Sequence, residues 1–485
     1  MARTALQFDD ETIQALFGHE AAEDEDKARL KEYYFKSDTY RRIRADLPLR
    51  ILVGHKGIGK SALFTVAMQE DEDVGVLPLL IRPDDVVEID TKDDDLLVAI
   101  RNWKEGLVRI VYEKALTSLG VPAERPAELP HVAGKVVHFV VDLLQPVLKR
   151  YVDLSTAQHG AIKCLMQKKT ICVYLDDLDR GWSAQRSEIA RLSALLSALR
   201  DLAREYQGIS FRVAFRSDVY FLVRTSDEST DKIEGSVVWQ KWSNHEILAM
   251  LIKRTESFFG RPKEEADLLA MRQKDLARLL DPLMEPRFQG YGHWQNCPIH
   301  RVLMSLIRKR PRDIVKLCTL AALRASQDGR SCIVTADWDG SFSEYSQARL
   351  QDTVNEFRSE LPGIEKLLLG MKPSKKEKQA KLGYTYTTDA LLRKIKNIQE
   401  QCSFRFHSGK AVTPKSLAQF MYKINFLTAR KRRSDNEIVR FYFEESRYLA
   451  SELADFGFDW EIHPAYRWAL QPDDLQSIYL SLIHI

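Results

Sequence analysis

Gly54-His55-Lys56-Gly57-Ile58-Gly59-Lys60-Ser61 has the spacing G-x-x-x-x-G-K-S, and these residue types at this spacing hold a phosphate chain. Gly57 and Gly59 let the backbone curl until its amides point at phosphate oxygens, and the positive end of a following helix adds to that field. Lys60 is expected to reach the β- and γ-phosphates and the Ser61 hydroxyl to complete a magnesium shell, with the whole stretch from Gly54 to Ala62 in contact with nucleotide. Lys56 is an extra cation inside the loop and reads as solvated.

The second half of such a site needs acids at the end of a neighbouring strand. Ile171-Cys172-Val173-Tyr174-Leu175 followed by Asp176-Asp177-Leu178-Asp179-Arg180 supplies them. Asp176 is the expected magnesium holder, through its water shell, and Asp177 stands where a water-orienting carboxylate is needed. Aspartate is one methylene shorter than glutamate, so slow or partner-dependent hydrolysis is expected. Arg180 and Arg186 just beyond are candidates for an arginine finger or for local ion pairs, and both readings stay open.

These residues need a scaffold. Leu49–Val53, Val76–Ile81, Thr170–Leu175 and Ile209–Phe215 are short apolar runs of the length of buried parallel strands, and Pro78 points to an edge position or bulge for the second. Between them lie helical stretches: Ser61–Met68, a long region from Leu96 to Tyr151 broken by a Pro-rich loop at Val121–Pro130, and a stripe of Ile189, Leu192, Leu195, Leu196, Leu199 and Leu202 at helical spacing. Alternating strands and helices predict an α/β P-loop NTPase core, a parallel sheet covered by helices. It is bounded here as residues 47–236, behind an N-terminal helical segment at 1–46. Residues 237–328 read as an α-helical lid, followed by a Gly/Ser/Asp-rich connector at Gly329–Ser341. Residues 343–479 read as a basic α+β region mixing helices with short strand-like runs; within it Lys366 to Arg433 holds seventeen Lys or Arg against Glu377, Asp389 and Glu400. The last six residues, Leu480–Ile485, read as translated adapter sequence, so the natural chain is expected to continue.

Composition excludes several classes. With 45% apolar and 29% charged residues the 485-residue chain is globular, long enough for about two to four domains. A net charge of +3 implies no global attraction to nucleic acid or membrane, so any such attraction must be local. Six scattered cysteines without a C-x-x-C pair fit free thiols in a reducing compartment, and the expected location is the cytoplasm. The best membrane candidate, Val136–Val147, is broken by His138, Asp142 and Pro146 and falls short of the roughly 20 apolar residues a span needs. No membrane association is expected. No nuclease, protease or deaminase constellation is visible.

With these motifs assembled, the chain resembles a family of uncharacterised bacterial P-loop ATPases related to the KAP and STAND NTPases. The resemblance is carried by Phe17-Gly18 with Ala21-Ala22-Glu23-Asp24-Glu25, by Lys56–Ser61, by Asp176–Trp182 (DDLDRGW) and by Arg310-Pro311-Arg312, and the part ending near Ile462-His463-Pro464-Ala465-Tyr466 is similar to the family's tail, which implies a C-terminal winged-helix-like α+β domain over residues 343–479. It implies Walker A and Walker B elements, ATP and Mg2+ as cofactors, and a nucleotide-controlled switch or homo-oligomer with an effector protein as partner, linked in such lineages to antiphage defence or signalling. It also implies sensors: Arg216, at the end of the Ile209–Phe215 strand, fits the polar sensor of AAA+ and STAND ATPases, and Arg312 resembles the nucleotide-contacting arginine of lid domains. Catalytic roles are thus expected for Lys60, Asp177 and Arg216. KAP proteins often carry inserted membrane segments; this chain shows none. Two alternatives stand beside the switch. One is a DNA-associated, initiator- or loader-like ATPase, with Arg430–Arg433 as wing or recognition element. The other is a nucleotide-binding scaffold without turnover, for which Asp177 leaves room.

Overall fold

The computed structural model describes residues 6–89, 95–118, 170–206, 208–226, 228–379, 383–432, 438–449, 458–471 and 478–479. The expected helix beyond residue 118, the Pro-rich loop at 121–130, the apolar run at 136–147 and Arg433 lie outside them. The chain forms two compact units: residues 1–35, 57–59 and 241–485 make one, residues 36–56 and 60–240 the other.

Two N-terminal helices, α1 (Asp10–Phe17) and α2 (Lys27–Tyr33), belong to the first unit. Each is started by an aspartate, Asp9 and Asp26, whose carboxylate accepts an amide of the first turn.

The second unit opens with α3 (Asp38–Arg44) and is built on five parallel strands. These are β1 (Leu49–Val53), β2 (Leu77–Ile81), β3 (Ile171–Leu175), β4 (Ile209–Phe215) and β5 (Val237–Trp239). Their spatial order is β2-β3-β4-β1-β5. The helices are α4 (Lys60–Asp73), α5 (Leu96–Ser118), α6 (Arg186–Glu205) and α7 (Ser217–Ser226). The strands are mostly apolar because both faces of a parallel sheet are covered, Arg50 of β1 and Ser210 and Arg212 of β4 being the polar members, and β3 is buried along its whole length. Pro78 lies on β2, an edge strand, where its missing amide costs no ladder bond. The leucine stripe of α6 is buried, and α5 packs on α6 with the Trp103 indole donating to the Arg191 carbonyl at 3.1 Å. Charged groups lock α3 to the sheet. Arg44 pairs with Asp71 at 2.9 Å, and the Tyr174 hydroxyl of β3 donates to the same carboxylate at 2.6 Å.

One strand departs from expectation. The series does not close at Ile209–Phe215, because β5 adds a fifth strand beside β1, pairing Val53 with Trp239. Three residues are too few to show a period, so the strand left no mark in the sequence.

In the first unit the chain continues through α8 (Asn244–Phe258), α9 (Glu265–Ala270), α10 (Gln273–Arg278), the β6 (Arg287–Gln289) and β7 (Gln295–Pro298) hairpin, α11 (Ile299–Leu306), α12 (Pro311–Gln327) and α13 (Thr335–Phe357). Ser243 and Glu246 form a capping box on α8, and Pro311 occupies the first turn of α12. The stretch expected as a connector is helical from Thr335 onward. Asp337 caps that start by accepting the Val334 amide at 2.8 Å, and Trp338, Phe342 and Tyr345 are buried along the helix.

The C-terminal part is α14 (Ile364–Gly370), α15 (Lys375–Gln379), β8 (Thr385–Tyr386), α16 (Thr388–Gln401), α17 (Pro414–Lys423), β9 (Leu427–Arg432), β10 (Ile438–Phe441), β11 (Asp459–Ile462) and α18 (Arg467–Leu470). Two helices followed by a β9–β10 hairpin give it a winged-helix-like form, with β11 inserted between β8 and β9 in an antiparallel sheet. A buried ion-pair cluster at the start of α12 reaches it through one hydrogen bond. Asp313 holds Arg308 and Arg349 at 2.9 Å each, and Arg308 donates to the Tyr466 hydroxyl at 2.8 Å. No helix among the described residues is long and apolar enough to cross a membrane.

Candidate nucleotide site

The loop after β1 begins with Gly54, whose amide donates to the Phe215 carbonyl at 3.1 Å and so extends the β1–β4 ladder by one residue. Gly57 (φ +77°) and Gly59 (φ +101°) then turn through left-handed backbone, which only glycine enters without strain. His55 and Ile58 are buried and Lys56 is exposed. Lys60 and Ser61 open α4, so that the free amides of its first turn face the loop. The Lys60 ammonium donates to the carbonyls of Gly54 at 2.9 Å and His55 at 3.3 Å, which holds it over the mouth of the loop. Ala62 follows on the same turn.

The acids sit at the end of β3. The Asp176 amide donates to the Ile81 carbonyl at 3.1 Å, and the Asp176 carboxylate accepts the Asp177 amide at 3.0 Å. Asp177 takes φ +62°, a conformation aspartate tolerates, and its carbonyl accepts the Arg180 amide at 2.9 Å. Desolvation and the neighbouring Asp176 charge push the Asp177 carboxyl above its ordinary range, although its side chain keeps solvent contact. Two strands carry the acids and the phosphate loop, and β4 lies between them. Arg216 stands at the end of β4. Its guanidinium forks onto Asp218 at 3.1 and 2.8 Å.

Asp179 is the residue that motif reading passed over. Its carboxylate is buried and accepts the Arg216 amide at 2.7 Å. Burial pushes it up to about 6, against the pull of the Lys60 and Arg216 charges. The turn it closes is anchored by Trp182, buried in the sheet core, whose amide donates to the Asp179 carbonyl at 3.2 Å. Asp179 therefore connects the acidic turn to the end of β4. Ser217 Oγ and the Gln240 side-chain amide are also buried without a hydrogen-bond partner among the described residues. They follow β4 and β5, the two strands that flank β1.

The residues fit a nucleoside triphosphate with a divalent cation. A Cβ built on Gly59 meets nothing within 4 Å, and the groups at the strand ends and loop are carboxylate oxygens and an ammonium, the chemistry that takes a hard divalent cation and phosphate. Strand ends of a parallel sheet are also where ligands collect. The core is a P-loop NTPase fold.

Two expected residues lie in the first unit. Arg312 stacks its stem on Gly57, whose carbonyl accepts the Arg312 amide at 3.4 Å. Its guanidinium donates through Nε to the Glu20 carbonyl at 3.1 Å, while Lys316 pairs with the Glu20 carboxylate at 2.8 Å. The segment from Phe17 to Glu25 thus borders α12. Arg430 is not a surface arginine: it is buried and donates to Thr385 Oγ1 at 2.8 Å. The α17 helix is likewise covered on most of its circumference, with Lys423 closed onto Glu360 at 2.6 Å.

No family model matches the chain. It is similar to the "Putative transposon gamma-delta 80.3 kDa protein" of Escherichia coli strain K12, at 22% identity over 384 residues, covering 72% of this chain and 52% of that protein. The chain thus spans about half the length of that relative. A second similarity, 24% over 152 residues, is to "Allergen Alt a 2" of Alternaria alternata, covering 31% of this chain and 72% of that protein. Among solved structures it is similar to a Walker-type ATPase of Pyrococcus abyssi, with 12% identity, TM-score 0.40, and 85% and 95% of the two chains covered. The ORC2 protein of Aeropyrum pernix in ADPNP–ADP complexes gives 13% identity, TM-score 0.42, and 89% and 87% coverage. Cdc6p of Pyrobaculum aerophilum gives 14%, 0.31, and 92% and 97%.

Proposed function

We propose that this chain binds ATP with magnesium and hydrolyses it slowly, using the nucleotide state as a switch. The observation that carries this reading is the Lys60 ammonium held over the glycine loop, with Asp176, Asp177 and Asp179 gathered two strands away. Lys60 binds the β- and γ-phosphates, Ser61 and Asp176 hold the magnesium shell, and Asp177 orients the attacking water. Magnesium when bound neutralises charge on the phosphate oxygens. Arg216 and Arg312 read the nucleotide. Kinship with KAP and STAND NTPases, a homo-oligomeric state, an effector partner and a role in antiphage defence or signalling belong to this proposal.

The test is phosphate release from ATP and magnesium. Lys60→Ala is expected to abolish both binding and release. Asp177→Asn keeps binding and loses about 10²-fold or more of the turnover. Wild type that binds ATP tightly, releases no phosphate under any condition and loses binding in Lys60→Ala leaves the scaffold reading in its place.

A second reading, a DNA-associated ATPase, is favoured by one feature of the winged-helix-like domain. Lys372, Lys375, Lys376, Arg393 and Lys396 are exposed on or beside α15 and α16. The Lys394 ammonium holds that surface together by bonding the Lys372 carbonyl at 3.0 Å and the Glu377 carboxylate at 2.7 Å. Phosphate contact would run through these groups and not through Arg430. The name of the Escherichia coli relative, a transposon protein, agrees with this reading.

A further inference from the structure

We propose that Asp179 and Asp218 are positioning residues for Arg216, Asp179 fixing its backbone and Asp218 parking its guanidinium, so that Arg216 reports a third phosphate by leaving Asp218. The proposal rests on the nucleotide reading above and adds to it the means of telling a triphosphate from a diphosphate.

Three observations support it. Arg216 sits at the end of β4, between the strand that leads to Lys60 and the strand that ends in Asp176. Its backbone is pinned, because its amide donates to the buried Asp179 carboxylate at 2.7 Å. Only the side chain is left to move. That side chain forks onto Asp218, whose carboxylate is 1% exposed against 14% for the arginine, so the pair is largely shielded from water.

The pair is exchangeable for a reason particular to its place. Asp218 lies in the first turn of the ten-residue helix α7. A carboxylate there is stabilised by the helix's free amides and its positive end. Asp218 therefore keeps a compensating field when the arginine departs, unlike a buried acid whose sole compensation is its ion pair. A γ-phosphate carries more charge than a carboxylate and offers the same two-oxygen face to a guanidinium fork. It competes for Arg216; a diphosphate, lacking that group, does not. In this scheme Asp218 sets the threshold for the response and touches no phosphate itself.

The experiment measures dissociation constants of ATP and ADP, with magnesium, for the full chain carrying Asp218→Asn, Arg216→Ala, or both. Asp218→Asn weakens the parking contact and is expected to raise the preference for ATP over ADP by about tenfold, through tighter ATP binding. Arg216→Ala brings the two affinities together, and Asp218→Asn then adds nothing further. Arg216→Lys keeps the charge without the fork and is expected to lower the preference even where Asp218→Asn folds poorly. An unchanged ATP-to-ADP ratio in folded Asp218→Asn, or the same change in the Arg216→Ala background, overturns the proposal. In either case wild type still binds ATP, so the nucleotide reading survives. Wild type that binds neither nucleotide sinks both.

Discussion

The Asp179 carboxylate accepts the backbone amide of Arg216 at 2.7 Å, which ties the acidic turn after β3 to the end of β4 across 37 residues of sequence. The bond is made in a fully buried place, and burial raises the acid from 3.8 to about 6. A raised value means that the folded chain holds the proton more tightly than the unfolded one. The resulting stabilisation is complete below the unfolded value and is lost as pH rises through about 6. In metal- and nucleotide-free buffer, thermal melts between about pH 4 and pH 7 should contain this falling component, worth at most about 3 kcal/mol. Asp179→Asn should remove it. An identical pH slope in wild type and variant would show that Asp179 does not titrate in this window.

Asp313 offers the opposite case. Arg308, Arg349 and Arg310 around it hold its carboxyl far below the usual carboxylate range, against the effect of burial. Its contribution is present above the unfolded value and fades only in strong acid, so it stabilises the chain throughout neutral pH. Asp313→Ala strands two guanidinium groups in the interior and is expected to cost about 3–5 kcal/mol in urea unfolding. Asp313→Leu combined with Arg308→Met should recover much of that loss. A single variant with unchanged unfolding would mean that water reaches the cluster.

The glycine loop between β1 and α4, the acids at the end of β3 and four of the five core strands were legible because each rests on contiguous chain: a glycine pattern, a run of five to seven mostly apolar residues, acids at a strand end. What stayed hidden depends on partners remote in sequence. Asp179 looks like one more acid in a polar turn until the Arg216 amide is placed against it. Arg430 reads as part of a solvated basic run, yet Thr385 on β8 and the neighbouring β11 close over it. The segment from Gly329 to Ser341 has a loop's composition, but from Thr335 the burial of Trp338 and Phe342 outweighs weak local propensity and makes helix. β5, three residues long, pairs with β1 and carries no pattern of its own.

The burial of Arg430 separates folding from nucleic-acid contact in the C-terminal domain. Arg430→Ala should lower stability by about 1–3 kcal/mol, because Thr385 Oγ1 loses a charged donor in a covered place. Lys375→Ala with Lys376→Ala, both exposed, should leave the melting temperature unchanged. If duplex DNA binds here, each lysine removed lowers the slope of log affinity against log salt by about one. Binding measured across a salt series decides this, and a slope unaffected by the double change would place any DNA contact elsewhere.

Gly57 and Gly59 separate strain from space in the phosphate loop. At Gly59 (φ +101°) an added Cβ meets nothing within 4 Å, so Gly59→Ala acts only through backbone strain. At Gly57 (φ +77°) the same methyl would stand 3.3 Å from Cβ and Cδ of Arg312, adding crowding to strain. Each change should cost on the order of 1–2 kcal/mol in the loop conformation, and hence roughly 10-fold in ATP affinity, with global stability little altered. Gly57→Ala has one further property, since Arg312→Ala removes the Cδ part of the crowding and leaves the Cβ contact and the strain. The double variant should therefore bind ATP better than the sum of the two single losses predicts, and strict additivity in titrations of all three proteins would rule out that contact.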